Sequence, residues 1–81
     1  MITLSEGRFT FGRGREAQLH ITDTEETVSR SHFDIVVKEG HAVIRDLNSL
    51  NGTCVNDMMI EEADLKKGDT VRAGKVLLKV A

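Results

Sequence analysis

Apolar and polar residues alternate with a period of two along most of the chain. Phe9 and Phe11 alternate with Arg8 and Thr10, and Leu19 and Ile21 with Gln18 and His20. Phe33, Ile35 and Val37 alternate with His32, Asp34 and Val36. Val43, Ile44 and Leu47 surround Arg45 and Asp46, and Val76, Leu78 and Val80 alternate with Leu77 and Lys79. A period of two is that of a strand with one buried face. The runs are short and rich in β-branched residues, which strands favour. Turn dipeptides separate them. Glu39-Gly40 lies between the runs 32–38 and 41–46 and predicts a hairpin. Asn51-Gly52, Lys67-Gly68 and Ala73-Gly74 mark further turns. Short strands at this spacing predict an all-β sandwich. The one helical competitor, residues 61–67, is too short and too weakly apolar to stand alone. Three polar loops stand out, at residues 12–17, 22–31 and 48–52. A sandwich gathers its loops at its two ends, so these three are expected to converge.

Composition narrows the function. With 81 residues the chain is one domain, residues 1–81. A domain of this size buries only about 60% of its unfolded surface. A deep enclosed active site has little room, so function is expected on surface loops. Hydrophobic residues are 40% and charged residues 30%, which argues against disorder. The net charge of −2 does not point to a nucleic-acid or anionic-membrane binder. No apolar run approaches the roughly 18 residues of a membrane span. Cys54 is the single cysteine, which rules out an internal disulfide and fits an intracellular setting, cytoplasmic or nuclear. The chain ends at Ala81 directly after an apolar run, and it is expected to be a domain cut from a longer protein.

Three segments carry candidate chemistry. In Gly12-Arg13-Gly14-Arg15 the glycines allow backbone geometry that other residues resist. Arg13 brings a fixed fork of donors that matches phosphate. The segment fails as a dinucleotide fingerprint, because the third glycine is missing and no helix follows. Alone, it reads first as a turn with solvated arginines. The second segment is Ser29-Arg30-Ser31-His32. Ser29 can donate a hydroxyl proton to an anionic oxygen. His32 reads first as a loop-fixing residue. A hydrolase built on Ser29, His32 and Asp34 or Asp46 lacks a nucleophile elbow. A metal site from His20, His32 and His41 lacks ligand spacing. The third segment runs from Asp46 through Asn51-Gly52 to Asn56. The Asn51 amide suits either a turn or the main chain of an extended peptide. Cys54 reads as a packed thiol rather than a nucleophile.

In this order the three segments resemble the forkhead-associated (FHA) domain, over about residues 9–80. That resemblance implies a β-sandwich of about 10–11 short strands that binds phosphothreonine peptides and catalyses nothing. Arg13 and Ser29 would hold the phosphate. Arg30, Leu50, Asn51 and Asn56 would contact the peptide, and Gly12, His32 and Gly52 would shape the loops. Arg30 faces either ligand or a structural acid. No cofactor or metal is implied; the partner is a phosphothreonine-containing protein segment, in trans or in the same polypeptide, with no specific nucleic acid and no membrane. Leu50 departs from the family, which often has a threonine there that helps at the phosphate. This keeps open a phosphate-independent interaction domain of the same fold. Asn56-Asp57 replaces the commoner Asn-Gly turn. Only residues 1–4 precede the strand at Arg8, so a trimmed first strand or fewer strands is the other expected departure. Asp23, Glu25 and Glu26 form an acidic loop, either a solvated face or a bias toward neutral and basic peptide flanks.

Overall fold

A computed structural model describes residues 2–15 and 17–81; Met1, in the expected opening strand, and Glu16, in the first loop, lie outside the described residues. Among the described residues nine strands form, and none is helical. They are β1 (Gly7–Gly12), β2 (Leu19–His20), β3 (Phe33–Lys38), β4 (His41–Asp46), β5 (Thr53–Val55), β6 (Met58–Ile60), β7 (Glu62–Leu65), β8 (Thr70–Ala73) and β9 (Val76–Lys79). Two sheets result, with strand orders β2-β1-β3-β4-β7 and β6-β5-β8-β9. All pairs are antiparallel except β1 with β2.

Among the described residues the strands number nine rather than 10–11, which is the expected departure of a trimmed first strand or fewer strands. The opening segment contributes a single parallel bridge, Ile2 to Val80, rather than a strand. The Ile2 N–H donates to the Lys79 carbonyl and the Ala81 N–H to the Ile2 carbonyl. The 61–67 segment resolves as strand: β7 pairs with β4, setting Ala63 opposite Ile44 and Leu65 opposite Ala42. Tertiary pairing outweighs a helical turn too short to nucleate.

The alternation places Phe11, Phe33, Ile35, Val37, Ala42, Ile44 and Leu65 inward from the first sheet. Val55, Val71 and Ala73 face them from the second. Phe11 and Phe33 stack at 4.8 Å between ring centroids. Burying a side chain of this class stabilises by about 1.5–3 kcal/mol. The hairpin at Glu39-Gly40 forms as expected, with positive φ at both turn residues (54° and 76°). Asn56-Asp57 makes the same kind of turn between β5 and β6, with φ of 49° and 69°. Two-residue turns of this hand match strand twist, so the substitution for Asn-Gly keeps the hairpin. No helix among the described residues is long and apolar enough to cross a membrane.

Candidate functional site

The three loops meet at one end of the sandwich, held by backbone hydrogen bonds. The Arg13 N–H donates to the Ser29 carbonyl and the Gly14 N–H to the Arg30 carbonyl, both at 3.0 Å. Glycine at position 12 is required by this approach: a Cβ there would lie 2.0 Å from the Arg30 carbonyl oxygen. The Arg13 side chain is fixed as well. Its Nε donates to the Val28 carbonyl at 2.9 Å, a bond that does not use the Nη groups. Glu26 Oε1 stands 3.8 Å from Arg13 Nη1.

His32 is fully buried and ties two loops together. Its Nδ1 lies 2.9 Å from the Ser29 backbone N–H and must accept. The proton therefore sits on Nε2, which donates to the Gly52 carbonyl at 2.7 Å. The ring packs edge-on against Phe33. His32 thus faces the backbone of residue 29 and not its hydroxyl, so no Ser–His catalytic pair forms. Ser29 Oγ instead accepts the Leu50 N–H at 3.1 Å. Accepting through a lone pair leaves the hydroxyl proton to donate elsewhere. The Leu50 side chain is 87% exposed. Asn51 Nδ2 donates to the Thr27 carbonyl at 2.7 Å, which fixes the amide and leaves its Oδ1 to accept.

The structure brings Gly12, Arg13, Ser29, Arg30, His32, Leu50, Asn51 and Gly52 together. It does not bring Asn56. That residue lies at the far end of β5, and both ends of its amide are committed. Nδ2 donates to Asp69 Oδ1 and Oδ1 accepts the Thr70 N–H, each at 3.0 Å. In this structure the Asn56 amide braces two turns.

Several positioning residues lay outside the motifs. Asp23 Oδ2 accepts the hydroxyl and N–H of Thr27 and the Val28 N–H, so it organises loop 22–31 from within. The Thr27 hydroxyl bond leads the effects that hold its carboxyl below the ordinary range. Lys75 Nζ pairs with Glu25 at 3.0 Å. The β8–β9 turn packs on the same loop so closely that a Cβ on Gly74 would lie 2.4 Å from the Thr27 carbonyl oxygen. Sequence identified Ala73-Gly74 as a turn; nothing local linked it to residue 27.

Asp46 braces the third loop, accepting from Ser49 N–H and Oγ and from the Thr53 hydroxyl at 2.7 Å. Burial acts to raise its pKa, but the Ser49 and Thr53 bonds outweigh it and the carboxyl sits below the ordinary range. A depressed carboxylate contributes stability above its unfolded pKa and loses it as the pH falls through the folded one. Asp46→Asn should therefore lower stability at pH 7, and the gap to wild type should close below about pH 4. Urea midpoints from pH 7 to pH 3 measure this; a gap independent of pH would contradict it.

A family model for the FHA domain matches residues 9–74. The chain belongs to the FHA domain family. FHA domains are interaction modules. Among related proteins, the FHA domain-containing protein FhaA of Mycobacterium tuberculosis is 44% identical over 71 residues, covering 88% of this chain. The chain spans 13% of that protein's length. A solved FhaA FHA domain complexed with the intracellular domain of Rv3910 aligns at a TM-score of 0.83 and 42% identity, covering 91% of this chain and 79% of that one. A second structure, from a structural and functional analysis of phosphothreonine-dependent FHA domain interactions, gives the same TM-score and identity over 91% of this chain and 75% of that one.

Proposed function

We propose that this domain binds phosphothreonine-containing protein segments, in trans or in its own polypeptide, and so mediates signalling interactions without catalysis. The observation that carries this reading is the donor set around one surface point. Arg13 offers its Nη groups, its Nε being held by the Val28 carbonyl, and Ser29 offers a hydroxyl proton, one oxygen lone pair being occupied by the Leu50 N–H. Phosphothreonine carries about −1.5 to −2 charge and three acceptor oxygens. Charge-assisted bonds contribute roughly 1.5–3 kcal/mol each, which after ordering costs corresponds to micromolar affinity. Asn51 Oδ1 is available to a main-chain N–H of an extended peptide. Solved FHA domains characterised for phosphothreonine-dependent interactions support this reading. The setting is intracellular, in keeping with a single unpaired thiol.

The test is one threonine peptide titrated plain, phosphoserine-substituted and phosphothreonine-substituted. Tightest binding of the phosphothreonine form is expected. Equal affinity for plain and phosphorylated forms would favour phosphate-independent interaction, the alternative that Leu50 keeps open.

Glu26 should act against the ligand. Its carboxylate competes for Arg13 and repels the phosphate. Exposed pairs of this kind are worth about 0.2–1 kcal/mol. Glu26→Gln should tighten phosphopeptide binding about two- to fivefold at low salt, with a smaller gain at high salt. Unchanged affinity at both salt concentrations would show that Glu26 does not engage Arg13.

A further inference from the structure

The middle row of the second sheet runs Met59, Cys54, Arg72, Leu77, one residue from each strand in register. Val55 and Val71, next to the row in sequence, lie in the core, so the row itself faces away from it. Met59 is 71% exposed and Leu77 65%. Between them Arg72 donates to the Cys54 sulfur at 3.3 Å. None of these four residues belongs to the loop site described above.

Charges frame the row, and their sign differs between its two sides. Asp57 directly precedes β6 and Glu61 directly follows it. Lys75 directly precedes β9 and Lys79 ends it. Acid thus flanks one edge strand of this sheet and base the other. Glu61 and Lys75 stand at the loop end of the sheet, Asp57 and Lys79 at the far end. Among the described residues Asp57, Glu61 and Lys79 have no ion-pair partner. Lys75 meets Glu25, with both side chains more than half exposed.

This layout decides how a second copy can sit on the face. Packed sheets keep their strands aligned within about 30°. A twofold axis between two such faces runs either across the strands or along them. An axis across the strands stacks β6 on β6 with its ends reversed. Glu61 then meets Asp57 of the second copy, Lys75 meets Lys79, and Arg72 meets its own counterpart. An axis along the strands stacks β6 on β9 with the ends kept. Asp57 then meets Lys79 of the second copy, Glu61 meets Lys75, Met59 meets Leu77, and Arg72 meets the Cys54 sulfur. Each of these pairs occurs twice. Coulomb's law disfavours the first arrangement and favours the second.

We infer that the outer face of the second sheet pairs with a second copy of this domain, about an axis along the strands. Four strands about 4.8 Å apart and some five residues long give a face of about 300 Å² per partner. A stable interface needs about 800 Å² per partner, so the dimer is weak, with a Kd of about 0.1–1 mM. Keeping the ends together sets both loop ends on the same side. Two phosphothreonine sites then face one ligand chain, and a short flexible linker between two phosphothreonines supplies an effective concentration in the same millimolar range. That bivalent use rests on the phosphothreonine reading above; the association does not.

Sedimentation equilibrium from about 20 µM to about 2 mM brackets the expected Kd. The wild-type weight-average mass should rise toward twice that of the chain. Leu77→Glu and Met59→Lys should each weaken self-association at least about tenfold, since each meets an apolar side chain with a charge. An equimolar mixture of the two variants should associate within about fivefold of wild type, because one Met59–Leu77 contact survives and the other becomes a Lys–Glu pair. Lys79→Glu should weaken association at low salt, and less at high salt. Circular dichroism should show each variant folded. Wild type that stays monomeric throughout would overturn the inference. So would self-association that persists in Leu77→Glu, and a mixture that stays monomeric would overturn the register.

A second arm uses a peptide with two phosphothreonines joined by a flexible linker of about 20 residues, which spans about 25 Å. The second domain should bind it about three- to tenfold more tightly than the first, and Leu77→Glu should erase the difference. Good binding at each phosphothreonine without that gain would overturn the shared loop end alone. No preference for the phosphorylated over the plain peptide would overturn the bivalent use together with the phosphothreonine reading.

Discussion

Arg13→Ala is expected to weaken phosphothreonine-peptide binding by a hundredfold or more while leaving the fold intact. This arginine brings a positive charge to the proposed phosphate position on a side chain anchored to its own scaffold, through the Val28 carbonyl. Two charge-assisted bonds at about 1.5–3 kcal/mol each are lost together, and about 1.4 kcal/mol is a factor of ten. The stability cost should be small, because the side chain is 30% exposed and gives up one neutral acceptor and a long pair with the exposed Glu26. Arg13→Lys sharpens the test. It keeps the charge but loses both the fork and the Val28 anchor, so it should recover only part of the affinity. Calorimetric titration of the phosphorylated and plain peptide against each variant measures this. If Arg13→Ala binds the phosphopeptide as wild type does, the phosphate site lies elsewhere.

His32→Ala is the second change with a large expected effect, and it acts through stability. The imidazole is fully buried, accepts the Ser29 N–H and donates to the Gly52 carbonyl. Its removal leaves a cavity and two backbone groups without partners. Each unsatisfied buried group costs about 1–3 kcal/mol, and the lost packing adds to it. A total of about 3–5 kcal/mol is a large share of the 5–15 kcal/mol typical of a domain. At about 4–8 °C per kcal/mol for a chain of this length, the melting temperature should fall by 12 °C or more. Urea denaturation gives the free energy directly. A loss below 1 kcal/mol would mean that the ring does not join the two loops as its bonds indicate.

Much of this was legible in the sequence because it depends on local chemistry. Alternation in Phe33-Asp34-Ile35-Val36-Val37 sets which face is buried, and Glu39-Gly40 closes the hairpin at once. The convergence of three loops followed from sandwich geometry, and the structure brings Arg13, Ser29 and Asn51 together. The remainder depended on partners distant along the chain. Asn56 sits in a motif that reads as peptide-facing, yet its amide is taken by Asp69 and Thr70, 13 and 14 residues on. Gly74 matters because of Thr27, which lies far back in the chain. Residues 61–67 carried too weak a pattern to choose an element, and the β4 edge chose for them. Arg30 could not be assigned between ligand and structural acid, because that depends on which carboxylates the fold turns toward it.

The buried imidazole also governs how the loop end of the molecule moves. A ring that accepts from one loop, donates to another and packs on the Phe33 core removes the independence such loops usually have. Loop 22–31 and loop 48–52 then cannot open without disturbing the interior. Amide hydrogens at Ser29 and Leu47, which bond to His32 itself, should exchange only at the rate of global unfolding rather than through local fraying. Recognition and folding would then share one cooperative unit, and a bound peptide would slow exchange in the core as much as at the surface it touches.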